Sequence, residues 1–328
     1  MIAFQSSPTK GLIRKVWDLA ILKAYRKHIG HRLTYFGLPG PEIEDLRDWR
    51  TILSYKTCVE RLRPSGKARE EDLKIYSRML DNAFVYKLDV GFQLLRGDVE
   101  DILLRGMDLD GHFPKLREGE TSEEMRLRYD LYHLDFLGGM GYKDKTGTSK
   151  RLRALKKLLD RQRGQDFLLL LTINVRDTMG DELTIYLEER SQKYGGDSRL
   201  KRLLRWYSQL GEGGKSLKLK AAVPLFIQEE SEVLGAFKCY SYPPLCYVGT
   251  GKATMMHFAF NLFHESGRDT PVLSPQTPKQ LIELPLMQAD GITIKIASTQ
   301  HPDFDKAKCR QHLQFLPAST RNAILRAS

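Results

Sequence analysis

The sequence predicts an α/β protein whose doubly wound, mostly parallel sheet closes on a C-terminal antiparallel hairpin. Three observations carry that expectation. From residue 32 onward short apolar runs alternate with amphipathic stretches, the pattern of βαβ units with right-handed crossovers. Several of those runs end on an acid or a glycine, which suits buried strands whose carboxyl ends open into a site. Finally, two extended runs, 237–248 and 254–263, flank Gly249-Thr250-Gly251, a hairpin signal.

The elements follow in order. Residues 9–28 keep helical spacing through Leu12, Val16, Leu19 and Leu22, with Thr9 as a possible cap. A strand over 31–40 contains LTYF and turns at GLPG. Pro41 then stands where a helix N1 residue would, followed by Glu42, Glu44 and Asp45, the acids a helix start prefers. That helix carries Ile43, Leu46 and Trp49 inward and ends near Leu53. A second strand is expected over 55–62, a helix over 69–80, a third strand over 92–96 and a short helix over 99–104. The polar stretch 105–128 reads as a surface insertion. A fourth strand covers 129–136, a basic helix 149–163 and a fifth strand 166–173. Helices fill 178–194, 198–210 and 224–236. From Glu265 the chain is Pro-punctuated and less regular, giving three segments: an N-terminal helical extension (1–31), the sheet domain (32–264) and a C-terminal extension (265–328).

Composition excludes several classes. The longest apolar run, 167–173, is far short of a membrane span. The basic first segment lacks a signal-peptide core, so a cytoplasmic protein is expected. Four cysteines without a CxxC pair favour neither a zinc site nor a disulfide framework. The net charge of +11 is clustered: nine Lys/Arg against two Asp over 143–163, seven against Glu212 over 199–220, and seven against Asp18 over 1–32. Such clusters attract polyanions, so nucleic acid is the first expected partner, with a protein partner also open. A membrane-surface role for 150–163 is disfavoured, because its apolar face is all Leu without aromatic anchors.

Four features stand at expected strand ends. Gly37-Leu38-Pro39-Gly40 follows the first strand. Glu60 ends the second, twenty residues after Gly40. Gly97-Asp98-Val99 follows the third. The fourth runs Tyr129–Gly141, YDLYHLDFLGGMG, through Asp135-Phe136 into Gly138, Gly139 and Gly141. Taken together, five βα steps, these ends and the terminal hairpin resemble the class I S-adenosylmethionine-dependent methyltransferase fold over about residues 32–263.

The resemblance implies S-adenosylmethionine as cofactor. It gives Gly37 and Gly40 to the cofactor's methionine part, where the family usually has three glycines. Glu60 would accept the ribose hydroxyls. Gly97 and Asp98 would lie beside the adenine amino group with Val99 on the ring, although Asp98 equally suits a helix cap. Asp135 and Phe136 resemble the acid and aromatic at the acceptor site of amine methyltransferases, without the usual prolines. Asp135 would hold the acceptor and border the cofactor, and Phe136 would stack on a base. His133 is expected to turn away from Asp135 and pack in the core.

Asn174, Arg176 and Asp177 leave the fifth strand at the same edge, as substrate contacts or as a capped helix start. Lys150, Arg151, Arg153 and Lys157 would meet phosphates. The tyrosines of the hairpin, Tyr240, Tyr242 and Tyr247, are expected to pack. No metal is expected. Two functions are open: methyl transfer to a nucleic acid or nucleic-acid-linked acceptor, or a catalytically inactive scaffold of this fold in a nucleic-acid-processing or defence assembly.

Overall fold

The computed structural model describes residues 7–61, 67–115, 127–136, 138–140, 149–175, 181–235, 237–249, 252–264 and 274–328. Its centre is one ten-stranded sheet. The strands are β1 (Leu33–Gly37), β2 (Leu53–Glu60), β3 (Phe92–Arg96), β4 (Leu131–Asp135) and β5 (Phe167–Asn174), then β6 (Phe237–Ser241), β7 (Leu245–Val248), β8 (Thr254–His264), β9 (Met287–Ala289) and β10 (Ile294–Ile296). Strands β3-β2-β1-β4-β5 are parallel neighbours, and β8 joins β5 antiparallel.

Strands β6 and β7 pair with successive halves of β8 and act as one strand broken at Tyr242-Pro243-Pro244, where proline cannot donate to the ladder. Counting them as one gives the order 3-2-1-4-5-7-6 of the class I methyltransferase fold, with its reversal between β1 and β4. The doubly wound sheet with a terminal hairpin is therefore what the chain forms.

Residues beyond the hairpin do more than trail. β9 lies parallel to β7 and β10 antiparallel to β9, so the last segment widens the same sheet. Helices α10 (Pro278–Glu283), α11 (Cys309–His312) and α12 (Ala318–Ala327) accompany it.

Alternation on the strands divides the core in two. One face holds Phe36, Tyr132, Leu134, Leu169 and Leu171. They pack against α5 (Val99–Arg105), α6 (Lys150–Arg161), α7 (Asp181–Lys193), α8 (Ser198–Ser208) and α9 (Lys215–Gly235). The other holds Leu33, Tyr35, Leu131, Leu168 and Leu170 under the N-terminal helix and the C-terminal segment. The hairpin tyrosines pack as expected: Tyr242 and Tyr247 are buried, and the Tyr242 ring meets Phe315 edge-on at 4.9 Å.

Four local expectations need correction. The N-terminal helix is α1 (Pro8–Leu12), a π-helical stretch Ile13–Asp18 and α2 (Leu19–Ile29), so the 3.6-residue register slips mid-way. After β1 no helix starts at Pro41. The chain turns instead, Ile43 sits at φ 44°, and α3 is only Glu44–Asp48. A β-branched residue in that region is strained; its side chain, with Leu46 and Trp49, is anchored in the core. Helix α9 begins at Lys215 and carries Pro224 within it. Burial of Leu217, Leu219, Leu225 and Ile227 outweighs the lost backbone hydrogen bond. Helix α4 (Lys67–Val85) runs longer at both ends than its apolar spacing indicated. Of the insertion, 116–126 lie outside the described residues; the described part runs beside β3, with Leu109 N–H donating to the Arg96 carbonyl at 2.9 Å.

No helix among the described residues is long and apolar enough to cross a membrane.

Candidate functional site

The parallel strands end on one edge, and three acids stand there. Glu60 closes β2, Asp98 follows β3 and Asp135 closes β4. The first two are joined directly: Gly97 N–H donates to the Glu60 carbonyl at 2.9 Å, placing Asp98 just beyond the glutamate. Gly97 has φ 143°, and a Cβ there would lie 3.1 Å from Leu109 Cγ. Glu60 Oε1 accepts Arg61 N–H at 3.0 Å. Burial, helped by the nearby Asp72 carboxylate and opposed by that hydrogen bond, pushes the Glu60 carboxyl up to about 7.

Asp98 caps α5, accepting Glu100 N–H at 2.9 Å. Its pKa is lowered: burial works against the charge, but the interactions with Glu100 and the Lys150 ammonium outweigh it. Val99 is buried in the core.

The turn after β1 is shaped by the protein itself. A Cβ on Gly37 would lie 2.5 Å from both the His133 carbonyl oxygen and Tyr35 Oη, so glycine is demanded by the close approach of β4. Gly40 has φ 68° and nothing within 4 Å of the place its Cβ would take.

At Asp135 the N-terminal helix enters. Lys10 Nζ pairs with Asp135 Oδ2 at 2.5 Å, while Asp135 Oδ1 is buried without a hydrogen-bond partner among the described residues. Burial disfavours the Lys10 ammonium, yet the Asp135 carboxylate outweighs it and raises the lysine's pKa, so Lys10 stays charged. One helical turn on, Arg14 reaches three acids of α3: Glu44 at 2.8 Å, Asp45 at 3.2 Å and Asp48 at 2.5 Å. Asp45 also takes His133 at 3.1 Å. Burial opposes both charges of that pair, but each partner's charge prevails, raising the histidine's pKa and lowering the aspartate's. Further along, Asp18 Oδ1 lies 2.8 Å from His257 Nε2, whose Nδ1 is 2.9 Å from Thr172 Oγ1.

These groups form one row. Asp135, Thr172 and His257 are direct neighbours across β4, β5 and β8. Their helix partners Lys10 and Asp18 are eight residues apart, about 12 Å along a helix, against about 10 Å across two strand spacings. His133 shares the Asp135 face, contrary to expectation, because residues two apart on a strand point the same way. Sequence reasoning missed Lys10, Arg14 and Asp18, although their i, i+4, i+8 spacing in an otherwise apolar stripe was a readable signal.

Arg14 is also a stability element. Arg14→Met should lower unfolding free energy by about 3 kcal/mol, since Glu44 and Asp48 keep their partial burial without this cation and Asp45 is left with His133. Chemical denaturation at pH 7 measures it, and a loss below about 0.5 kcal/mol would contradict the reading.

Other expected site residues lie elsewhere. Phe136 packs in the core with the Arg151 guanidinium 4.0 Å above its ring, so it is not open to a base. Arg151 is itself enclosed, bonding Glu100 Oε1 at 2.7 Å and the carbonyls of Gly138 and Gly139 at 2.6 and 2.5 Å. It bolts the glycine loop to α6 and does not face solvent phosphates. Lys150 pairs with Asp101 at 2.8 Å and Lys157 with Asp160 at 3.0 Å. Arg153 also has a partner within the chain. The basic helix is thus largely satisfied internally. Asn174 N–H donates to the Gly138 carbonyl at 3.2 Å, tying the ends of β4 and β5. Arg176, Asp177 and Gly141 lie outside the described residues. Beside β5 a cleft of about 330 Å³ is lined by Val175, Glu212, Gly213, Lys215, Ser216 and Thr254.

No protein-family model matches the chain, and no curated protein matches it. Among solved structures it is similar to a Streptococcus pneumoniae protein described as a candidate tRNA (m1A22) methyltransferase (10% identity, 76% of this chain and 72% of that one, TM-score 0.35). It is similar also to the O-methyltransferase TomG of Streptomyces achromogenes with S-adenosylmethionine bound (9%, 74% and 78%, TM-score 0.36). A third is an rRNA methylase of Streptococcus thermophilus (10%, 75% and 97%, TM-score 0.35). At such scores the fold assignment rests on the strand order itself.

Proposed function

We propose that this protein binds S-adenosylmethionine at the carboxyl edge of β1–β4 and transfers its methyl group to a nucleic acid or nucleic-acid-linked acceptor. The observation that carries the reading is the pair of acids Glu60 and Asp98 on adjoining strand ends, linked through Gly97 at the carboxyl edge of the parallel strands. That pair suits the nucleoside half of the cofactor: Glu60 for the ribose hydroxyls, and Asp98, with Gly97 and Val99 beside it, for the adenine amino group. The methionine half has a sparser cradle, since Gly37 is occupied by packing against β4 and Gly40 alone has open space.

When bound, the cofactor supplies an electrophilic methyl group on a sulfonium. The chain's own task is then alignment and exclusion of water. Asp135 borders the acceptor at the end of β4, and Lys10 fixes its carboxylate through Oδ2. Asn174 keeps the β5 end in register, and the cleft beside Lys215 and Ser216 lies on the acceptor's path. Phosphate contact falls to lysines that remain exposed on the N-terminal helix, Lys15, Lys23 and Lys27, and to Arg205.

Calorimetric titration with S-adenosylmethionine at pH 6 and pH 8 tests the reading. Binding is expected at both, tighter at pH 8, because the Glu60 carboxylate accepts both hydroxyls only once its carboxyl, at about 7, has ionised. No heat at about millimolar cofactor would remove the proposal.

A further inference from the structure

Helix α4 carries two apolar stripes, and only one has a home. Asp72, Met79 and Ala83 point into the protein. On the flank about 100° to one side, Arg78 pairs with Glu42 at 2.5 Å and Asn82 donates to the Pro41 carbonyl at 2.8 Å, so that flank faces the β1–α3 turn. The opposite flank holds Leu73, Ser77, Leu80 and Phe84 and faces away from the turn, on the side of the sheet that ends at β3. Its three apolar side chains are 37%, 43% and 74% exposed.

Spacing on this flank is 4-3-4, the seam of a two-stranded coiled coil. Leu73 and Leu80 take d positions, Ser77 and Phe84 a positions. An antiparallel copy of the same helix, related by a two-fold between Arg78 and Met79, aligns every layer a-to-d. Leu73 meets the copy's Phe84, Ser77 meets its Leu80, and Glu70 meets its Lys87 just past the helix end. The flanking e positions, Lys74 and Asp81, are complementary as well, each facing the other across the axis. Glu70, Lys74, Asp81 and Lys87 are all exposed, and none has an ion-pair partner among the described residues. An isologous interface needs such self-complementarity, and a chance apolar flank does not provide it.

We propose that this flank of α4 is the interface of a homodimer, closed by antiparallel pairing of α4 with its copy. The seam is short and narrow, so the association is reversible.

Sedimentation velocity of the full chain across concentrations up to about 200 µM tests this. A monomer–dimer equilibrium is expected. Phe84→Ser and Leu80→Lys, both at exposed positions, should abolish the dimer and leave the circular dichroism and melting temperature unchanged. Lys74→Asp alone and Asp81→Lys alone should each weaken it about tenfold by setting like charges across the axis, and the double exchange should restore it. Only monomer throughout the range overturns the proposal. So does a dimer indifferent to Phe84→Ser and Leu80→Lys, or a charge pair whose double exchange gives no rescue.

Discussion

Exchanging Asp98 for asparagine is expected to weaken S-adenosylmethionine binding at least about tenfold while barely changing stability. The two consequences separate because Asp98 holds two positions at once. As the cap of α5 it accepts the Glu100 N–H, and asparagine caps a helix about as well. As the proposed partner of the adenine amino group it supplies a charged acceptor, and a hydrogen bond to a charged group contributes about 1.5–3 kcal/mol. Asp98→Ala should lose both, with about 1 kcal/mol of stability gone as well. Calorimetry and thermal melts on the two variants make the measurement. If Asp98→Asn binds as tightly as the unaltered protein, the adenine lies elsewhere.

The second large effect concerns Lys220, deep in α9. Its ammonium reaches Tyr207 Oη at 2.7 Å and the Ile282 carbonyl at 2.5 Å. Burial pulls its pKa down to about 7, and the more distant Glu283 offsets this only in part. In the unfolded chain the lysine keeps its usual value near 10.5. Between about pH 7 and 10 the unfolded state therefore binds the extra proton, and stability climbs with pH through that window. Below pH 7 both states are protonated and the full penalty of a buried charge persists. The shift corresponds to about 4–5 kcal/mol at most.

Lys220→Met should accordingly stabilise the protein at pH 6–7 and flatten its rise toward pH 10. Tyr207 O–H already donates to the Ile282 carbonyl at 3.0 Å, so that carbonyl keeps a partner. Denaturant melts at pH 6, 8 and 10 check this. An unchanged pH slope in the variant would assign the dependence to other groups.

Much of the sheet was legible because its strands are short apolar runs with punctuated ends, β4 and β5 being buried on both faces. β3 carries the expected bounds, and β4 and β5 fall within one or two residues of them. α9 was not legible as a whole. Pro224 is a local break signal, and only burial on several sides shows why the helix continues through it. The edge acids Glu60, Asp98 and Asp135 could be found because an acid closing an apolar strand is costly without a task or a partner. Partners brought from far along the chain could not be found that way. Lys10 lies 125 residues from Asp135 and Asp18 lies 239 from His257, distances that no local pattern encodes. Phe136 misled for a related reason. Its place after the acid matched a stacking aromatic, but alternation past Asp135 turns it to the opposite face, under Arg151.

The first helix cannot behave as a door. Swinging it outward would strand a carboxylate and an imidazole on a greasy surface while pulling their counterparts into water, a cost incurred twice over along its length. It is a fixed wall over the ends of β4, β5 and β8.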